Sequence, residues 1–171
     1  MKTSLVLTLI GPDKPGLVEM VSGTLAEHRA NWQESSMSRL AGKFAGILIA
    51  SVDSSRTEQL LNALEQLEAH GLKVIAETDS GTVKREGQEL HLDLIGHDKP
   101  GIVREISRAL AKRKISVDRL ETEVVSGSMS AEQLFKAKAD LRVPEGTDLD
   151  ELQEALEAIA SDLMVDITLN N

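Results

Sequence analysis

The chain has 171 residues, of which 41% are hydrophobic and 27% charged, with a formal net charge of −9 and no cysteine. This composition suits one globular domain or two small ones. The lack of cysteine excludes disulfides and zinc–thiolate sites, which favours a cytoplasmic location. Neither nucleic acid nor a membrane is expected as a partner, because the chain has no basic excess and no apolar run near the roughly 20 residues that span a bilayer.

The first half of the sequence predicts the element order βαββαβ. Alternating leucines in SLVLTLIG predict a first strand, and Pro15 is expected to be the first residue of the helix after it. A strand over residues 32 to about 40, a turn at residues 41–42 and the buried strand FAGILIASV come next. An amphipathic helix ending at Gly71 is predicted by RTEQLLNALEQLEAHG, and a last strand by LKVIAETD.

The second half of the sequence repeats the first. A shift of 85 residues gives 13 identities over the 22 positions 5–26. Phe44 then matches Phe135, and LKVIAETD at 72 matches LMVDITLN at 163, so the offset has grown to 91. The second copy therefore carries six extra residues, around 127–132 in SGSMSAEQ. This insertion is expected beside the second copy of the β–α turn, either as a mobile cover for it or as a spacer.

These elements predict an α+β protein made of two ferredoxin-like βαββαβ domains. Each domain is expected to have a four-stranded antiparallel sheet with both helices on one face. The expected domains are residues 1–79 and 90–171. A polar linker, SGTVKREGQE, is expected to join them over residues 80–89.

The segment DKPG occurs in each copy, at residues 13–16 and 98–101. Its lysine precedes a proline and is pushed out of the helical conformation, so the segment is expected to form the strand-to-helix turn. Its glycine would let an anion approach the backbone N–H groups at the positive end of the helix. Asp13 and Lys14 add a charge pair that would suit a zwitterion. The alternative is that proline and glycine serve only the geometry of the turn.

The segment LIGPDKPGLV, followed by LAEHRANWQESSMSRL, resembles an ACT domain. Over residues 3–79 and 88–170 the chain is similar to the two-ACT-domain regulators grouped with the glycine cleavage system transcriptional repressor. The resemblance implies regulation, since ACT domains commonly bind small amino acids, glycine among the candidates, between paired domains. It also implies a homodimer and a protein partner such as a DNA-binding activator, with no cofactor.

The resemblance also implies which residues bind the ligand. In ACT pairs the β1–α1 turn of one unit often meets the start of β2 of its neighbour, where an asparagine is typical. Two unequal sites are therefore expected: a better one at Gly101 and Ile102 with Asn31, and a poorer one at Gly16 and Leu17 with Ser116. The other residues expected to bind ligand are Asp13, Pro15, Asp98 and Pro100.

No catalytic or metal-binding set stands out in the sequence, so the protein is not expected to be an enzyme. Its histidines do not occur at metal-ligand spacing, and no GxSxG surrounds its serines. The alternative function is a ligand-free ACT-fold interaction module or regulatory subunit. Arg104, Arg108 and Lys112 recur on one helix, and nine acids lie between residues 140 and 166, which indicates either a solvated helix face or a docking surface for a basic partner.

Overall fold

The computed structural model describes residues 1–81, 85–127 and 131–171, and the chain divides into two compact units, Met1–Val83 and Lys84–Asn171. Each unit has the predicted βαββαβ order and forms one four-stranded antiparallel sheet, so the α+β prediction is confirmed. Within the described residues, no helix is long and apolar enough to cross a membrane.

The first unit arranges its strands in the order β2-β3-β1-β4. Its elements are β1 (Lys2–Pro12), α1 (Leu17–Glu27), β2 (Asn31–Leu40), β3 (Lys43–Asp53), α2 (Thr57–Glu65) and β4 (Lys73–Thr78). Short 3-10 turns precede and follow α2, and the second of them, Gln66–His70, is capped by Gly71, the predicted end of the helix.

The second unit has the matching order β6-β7-β5-β8. Its elements are β5 (Gln88–His97), α3 (Ile102–Lys112), β6 (Ser116–Ser126), β7 (Gln133–Val143), α4 (Leu149–Leu163) and β8 (Val165–Asn170). In both units β2 or β6 is an edge strand, and its pairing with the next strand contains a bulge near its start.

Alternating leucines of the central strand form the middle of each core. In β1 they are at most 1% exposed, and in β5 at most 4%. The residues between them point to the other face of the sheet, because side chains alternate along a strand. Burial of each leucine contributes about 2 kcal/mol, so this strand fixes which sheet face the helices cover.

The last strands are offset by 93 residues rather than by the 91 that the sequence match predicts. Leu7 pairs with Ala76, whereas Leu92, its equivalent in the second unit, pairs with Leu169. Two additional residues therefore lie between β7 and β8. With this offset, Met164 is the equivalent of Gly71 in the first unit. Both residues have a left-handed backbone conformation, with φ of 56° and 90° respectively.

Replacing Met164 with glycine is expected to raise the free energy of unfolding of the second unit by about 0.5 kcal/mol. Relief of a left-handed side-chain clash is worth about 1–2 kcal/mol, and the added freedom of the unfolded chain offsets about 0.4–1 kcal/mol of it. Little burial is lost, since Met164 is 76% exposed. Urea unfolding measures the change, and Gly71→Met should destabilise the first unit as the matched control. A Met164→Gly variant less stable than the parent would contradict this account.

Arg113 joins the two helices of the second unit. Its Nη1 donates to the carbonyl of Ala109 at 2.8 Å, and its Nε donates to Oε2 of Glu151 at 2.8 Å. A second bond runs from its Nη2 to Oε1 of Glu151. This paired hydrogen bonding lowers the pKa of the Glu151 carboxyl from its ordinary value.

The Glu151→Gln variant is expected to be less stable than the parent at pH 7, and this difference in stability should shrink as the pH is lowered toward 3. A carboxyl whose pKa is lowered in the folded state stabilises the fold above its unfolded pKa, and this contribution is lost as pH falls through the folded pKa. Urea midpoints at the two pH values test this. Glu154→Gln, on the same helix and without a described ion pair, is the control, and a difference as large at pH 3 as at pH 7 would rule out the charged bond as its source.

Candidate functional site

Each β–α turn holds a left-handed glycine immediately before the helix. Gly16 has a φ of 94° and Gly101 a φ of 95°, a region that side chains other than glycine rarely adopt. The prediction that Pro15 is the first helical residue is wrong, because a left-handed residue interrupts the right-handed path before Leu17, where α1 begins. Pro100 likewise lies in the turn that precedes α3.

The first N–H groups of α1 and α3 are open. The first helical bond of α1 runs from the N–H of Met20 to the carbonyl of Gly16, at 2.9 Å. The N–H groups of residues 17–19 have no acceptor among the described residues, and Gly16 supplies no side-chain cap. The N–H groups of residues 102–104 of α3 likewise have no acceptor among the described residues. Each turn therefore presents unpaired donors at the positive end of a helix, an arrangement that suits a carboxylate.

The charged side chains of the first turn have partners of their own. Oδ2 of Asp13 lies 3.4 Å from Nη1 of Arg39, and Nζ of Lys14 donates to the carbonyl of His70 at 3.0 Å. Asp13 and Lys14 are thus engaged with other residues, rather than poised as a free pair for a zwitterion. The backbone N–H groups are the donors that remain for an anion at this turn.

The hairpin after the edge strand lies against the turn in both units. The N–H of Asp13 donates to the carbonyl of Gly42 at 2.9 Å, and the N–H of Asp98 donates to that of Gln133 at 3.0 Å. These two bonds join equivalent residues, because Gly42 and Gln133 differ by the offset of 91. The hairpin therefore fixes the position of the turn from outside the helix.

The insertion of the second unit lies in this hairpin, and its described ends are close to the turn. The N–H of Gly127 donates to the carbonyl of Glu132 at 2.9 Å. Oε2 of Glu132 lies 3.4 Å from Nδ1 of His97, the last residue of β5. Residues 128–130 are outside the described part of the chain, so the hypothesis of a cover over the turn stays a hypothesis.

Asn31 and Ser116 lie far from the turn of their own unit. They are the first residues of β2 and β6, and Asn31 pairs with Ser51, which lies opposite Ser4. The turn follows Pro12, eight residues farther along β1, which corresponds to roughly 26 Å at about 3.3 Å per residue. A site that combines a turn with one of these residues therefore needs two units, from one chain or from two.

An apolar cavity, which the sequence did not indicate, lies in the second unit. It has a volume of about 50 Å³ and opens between α3 and the strands β5 to β7. Ile102, an expected ligand residue, forms part of its wall. A comparison of the two repeats residue by residue could have signalled it, because Val117 and Ala139 stand where the first repeat has Trp32 and Leu48.

The outer faces of the two sheets, which face away from the helices, differ in character. On the first sheet this face carries exposed isoleucines: Ile47 is 55% exposed, Ile75 49% and Ile10 46%. On the second sheet the equivalent of Ile47 is Lys138, which is paired across the strands with Asp93 and Glu121. The first outer face is therefore the one suited to contact another apolar surface.

One group of possible metal ligands occurs among the described residues. Glu89, His91 and Asp140 place ligand atoms within 4.8 Å of one another on the outer face of the second sheet. The β5–β7 register brings His91 opposite Asp140, and their side chains form a hydrogen bond of 2.6 Å. Arg142 approaches Glu89 at 3.9 Å. Cross-strand pairing accounts for the cluster without a metal ion.

The basic stripe of α3 is exposed. Within the described residues Arg104, Arg108 and Lys112 form no ion pair, whereas Arg113 pairs with Glu151 of α4. The structure therefore links only part of the basic helix to the acidic one. Either a solvated helix face or a docking surface fits this arrangement.

The first unit has the sequence signature of a known protein family. Residues 3–77 match the ACT domain family. Over 93 residues the chain is 31% identical to the UPF0237 protein of Methanopyrus kandleri, and the match covers 54% of this chain and 84% of that relative. An unknown protein from Galdieria sulphuraria has a similar crystal structure, with a TM-score of 0.88 and 28% identity over 99% of this chain and 98% of that one.

A further crystal structure is similar over nearly all of its length. It is that of a protein provisionally named a glycine cleavage system transcriptional repressor, with a TM-score of 0.74 and 22% identity over 99% of this chain and 97% of that one. Fold and turn geometry together define a tandem ferredoxin-like protein with one open helix end in each unit. The chain belongs to the ACT domain family. The ACT resemblance drawn from the DKPG turns is confirmed.

Proposed function

We propose that this chain is a non-enzymatic regulator that binds a small amino acid at its β–α turns and controls gene expression through contact with another protein. The observation that carries the proposal is that the helices after Gly16 and Gly101, in an ACT-family chain, each begin with unpaired N–H groups. Their N–H groups suit the carboxylate of an amino acid. The similar protein provisionally named a repressor supports a role in gene regulation.

The proposed sites pair each turn with an edge-strand residue of another unit. Gly101 and Ile102 would combine with Asn31, and Gly16 and Leu17 with Ser116. The asparagine amide offers a donor and an acceptor at longer reach than the serine hydroxyl, so the site with Asn31 is the tighter one. Asp13, Pro15, Asp98 and Pro100 would shape the turns around the ligand.

Loss of amino-acid affinity is expected to be larger in Asn31→Ala than in Ser116→Ala. A thermal-shift screen of the parent against the twenty amino acids first identifies the ligand, since a ligand at a hundred times its Kd adds about 2.7 kcal/mol to stability. Calorimetry on the two variants then gives their affinities. Equal losses would refute the assignment of Asn31, and a parent that responds to none of the twenty would refute amino-acid binding.

The proposed output is contact with a protein, such as a DNA-binding activator, in the cytoplasm. The net charge of −9 favours a basic protein surface over DNA, because a DNA-binding face needs a basic excess. The acidic residues of α4, including Asp150, Glu154 and Glu157, offer a surface to which such a basic partner could bind.

The proposed assembly is a homodimer that uses the outer face of the first sheet. Val6 lies opposite Ile49 on this face, and Thr8 lies between Ile47 and Ile75, so the apolar side chains are neighbours. Two copies related by a twofold axis would bring these faces together. The same surface supports the alternative function, a ligand-free interaction module, in which this face binds the partner and the turns bind nothing.

The Ile47→Lys variant is expected to be monomeric at concentrations at which the parent is a dimer. A lysine in the middle of the face would be buried without a partner on association. Light scattering coupled to size-exclusion chromatography measures the mass. Lys138→Ala, at the equivalent position of the second sheet, should leave the mass unchanged. A dimeric Ile47→Lys protein would show that this face is not the interface.

A further inference from the structure

The two helices of the second unit carry charges of opposite sign. The bases of α3 recur every four residues, at Arg104, Arg108 and Lys112. The helix α4 has acids and no lysine or arginine, and three of its acids recur at a similar spacing, at Asp150, Glu154 and Glu157. At about 1.5 Å per residue, the basic set spans about 12 Å and the acidic set about 10 Å along its helix. The two sets therefore match in length and are opposite in charge.

Both sets of charges lie on the surface of the helices that faces away from the sheet. Ile106 of α3 and Leu152 of α4 are buried in one core cluster with the leucines of β5. Arg104 precedes Ile106 by two residues and Glu154 follows Leu152 by two, which places each of them about 200° around its helix from the buried residue. Both charged side chains therefore point away from the core, and both residues are exposed.

Neither set of charges has an ionic partner within the described part of the unit. Glu157 accepts a hydrogen bond of 3.1 Å from the uncharged amide of Gln153 on its own helix. The ion pair that does join the helices uses other residues, Arg113 and Glu151. Charges of both signs are therefore available on one surface, which we call the second helix layer.

The strand order and the Arg113–Glu151 pair fix how the two helices align. Both β5 and β6 run antiparallel to β7, so α3, which connects β5 to β6, runs opposite to α4, which connects β7 to β8. Arg113 follows the last residue of α3 and bonds to Glu151 in the first turn of α4. Lys112 therefore lies level with the start of α4, and Arg104 lies level with its second half.

A layer of one basic and one antiparallel acidic helix is complementary to itself. Rotation by 180° about an axis parallel to the helices would set α3 of one copy on α4 of another, and each residue would keep its level along the axis. Exposed Ala111 and Ala158 lie among the charges and would let the helices approach. The facing residues of the two copies would be Arg104 with Glu157, Arg108 with Glu154, and Lys112 with Asp150.

The first unit lacks this complementarity. At the offset of 85 residues, Glu19 and Glu27 of α1 stand where α3 has Arg104 and Lys112. The charged residues of α2 are likewise all acidic. Two helix layers of the first unit would therefore repel each other, because like charges would meet on both helices.

We propose that the second helix layer binds the same layer of a second copy of this chain, through the opposite charges of α3 and α4. This contact is separate from the sheet contact proposed above, and it needs higher protein concentrations because exposed ion pairs are weak. The self-association does not depend on the proposed function. Where that function holds, the second copy covers the acidic residues that α4 offers to a basic partner, so the two compete for one surface.

Analytical ultracentrifugation of the full chain carrying Ile47→Lys tests the proposal, because this variant removes the sheet contact and leaves α3 and α4 intact. Monomers should associate to dimers at about 0.1 M salt. Their affinity should fall about tenfold or more at about 1 M salt, since the Debye length shrinks from about 10 Å to about 3 Å. A contact made by apolar surfaces has no such dependence on screening.

Charge reversal identifies the two surfaces. Arg108→Glu and Glu154→Arg, each made in the Ile47→Lys chain, should weaken the association about tenfold or more, because two attractive pairs of a twofold contact become repulsive. An equimolar mixture of the two variants should associate as the starting chain does, since each α3 then meets an α4 of opposite charge. The variant that carries both reversals should also associate.

Glu27→Lys is the matched control, because it places on α1 the residue that α3 has at the equivalent position. It should leave the association unchanged. Circular dichroism checks that each variant folds, and recovery of association in the mixture shows the same of both single variants. If one of them fails to fold, Lys112→Glu and Asp150→Lys serve as the second pair of reversals.

Three results would overturn the inference. A mass that does not respond to salt or concentration would show that the charges only solvate the helices. A mixture that associates no better than its separate variants would exclude the pairing of α3 with α4. Weakening by Glu27→Lys in place of Glu154→Arg would set α3 against the first unit of the second copy.

Failure of the proposed function gives different results. An Ile47→Lys chain that stays dimeric at about 1 M salt would refute the sheet contact, and the response to charge reversal would still be read from the larger species. A chain that binds no amino acid would leave the association of the second helix layers as it is.

Discussion

The alternation of leucines along the central strand is the constraint on which each unit depends. One face of β1 and of β5 is buried. A shift of the strand register by one residue would point every leucine toward solvent, so the register is fixed. Both helices then have to cover the same sheet face. The chain must therefore reverse sharply after the strand, and the left-handed glycine at Gly16 and Gly101 makes that reversal. The open N–H groups are thus a by-product of the turn that folding requires.

Most of the fold could be predicted from the sequence because its signals are local or repeated. The signals used were the alternation of leucines, the helical spacing of apolar residues and the glycine at residue 71. Each of them spans only a few residues, and the second copy of the repeat gave independent support for the same elements. The start of α1 was misplaced because Pro15 is equally compatible with a turn and with a first helical residue; the backbone of Gly16 decides between them. The offset at β8 was missed because two added residues around a helix leave the apolar pattern intact.

The candidate site was only partly accessible from the sequence. The turn motif marked the glycines, but the partners of Asp13 and Lys14 depend on Arg39 and His70, which are distant in sequence. The cavity depends on residues from one helix and three strands, so no local pattern reports it. The repeats did hold one usable signal, the loss of Trp32 and Leu48 at positions where the second copy has smaller residues. Divergence between copies marks the place where one of them is open.

The position of Trp32 gives the two units different optical properties. It is the one tryptophan of the chain, and tyrosine is absent. Its indole is half-buried in the first unit, so emission excited near 295 nm reports the environment of that unit alone. Circular dichroism, in contrast, sums the helices and strands of both. A single chain therefore carries a natural fluorescent reporter in one unit and none in the other, and unfolding of the first unit can be followed without any label.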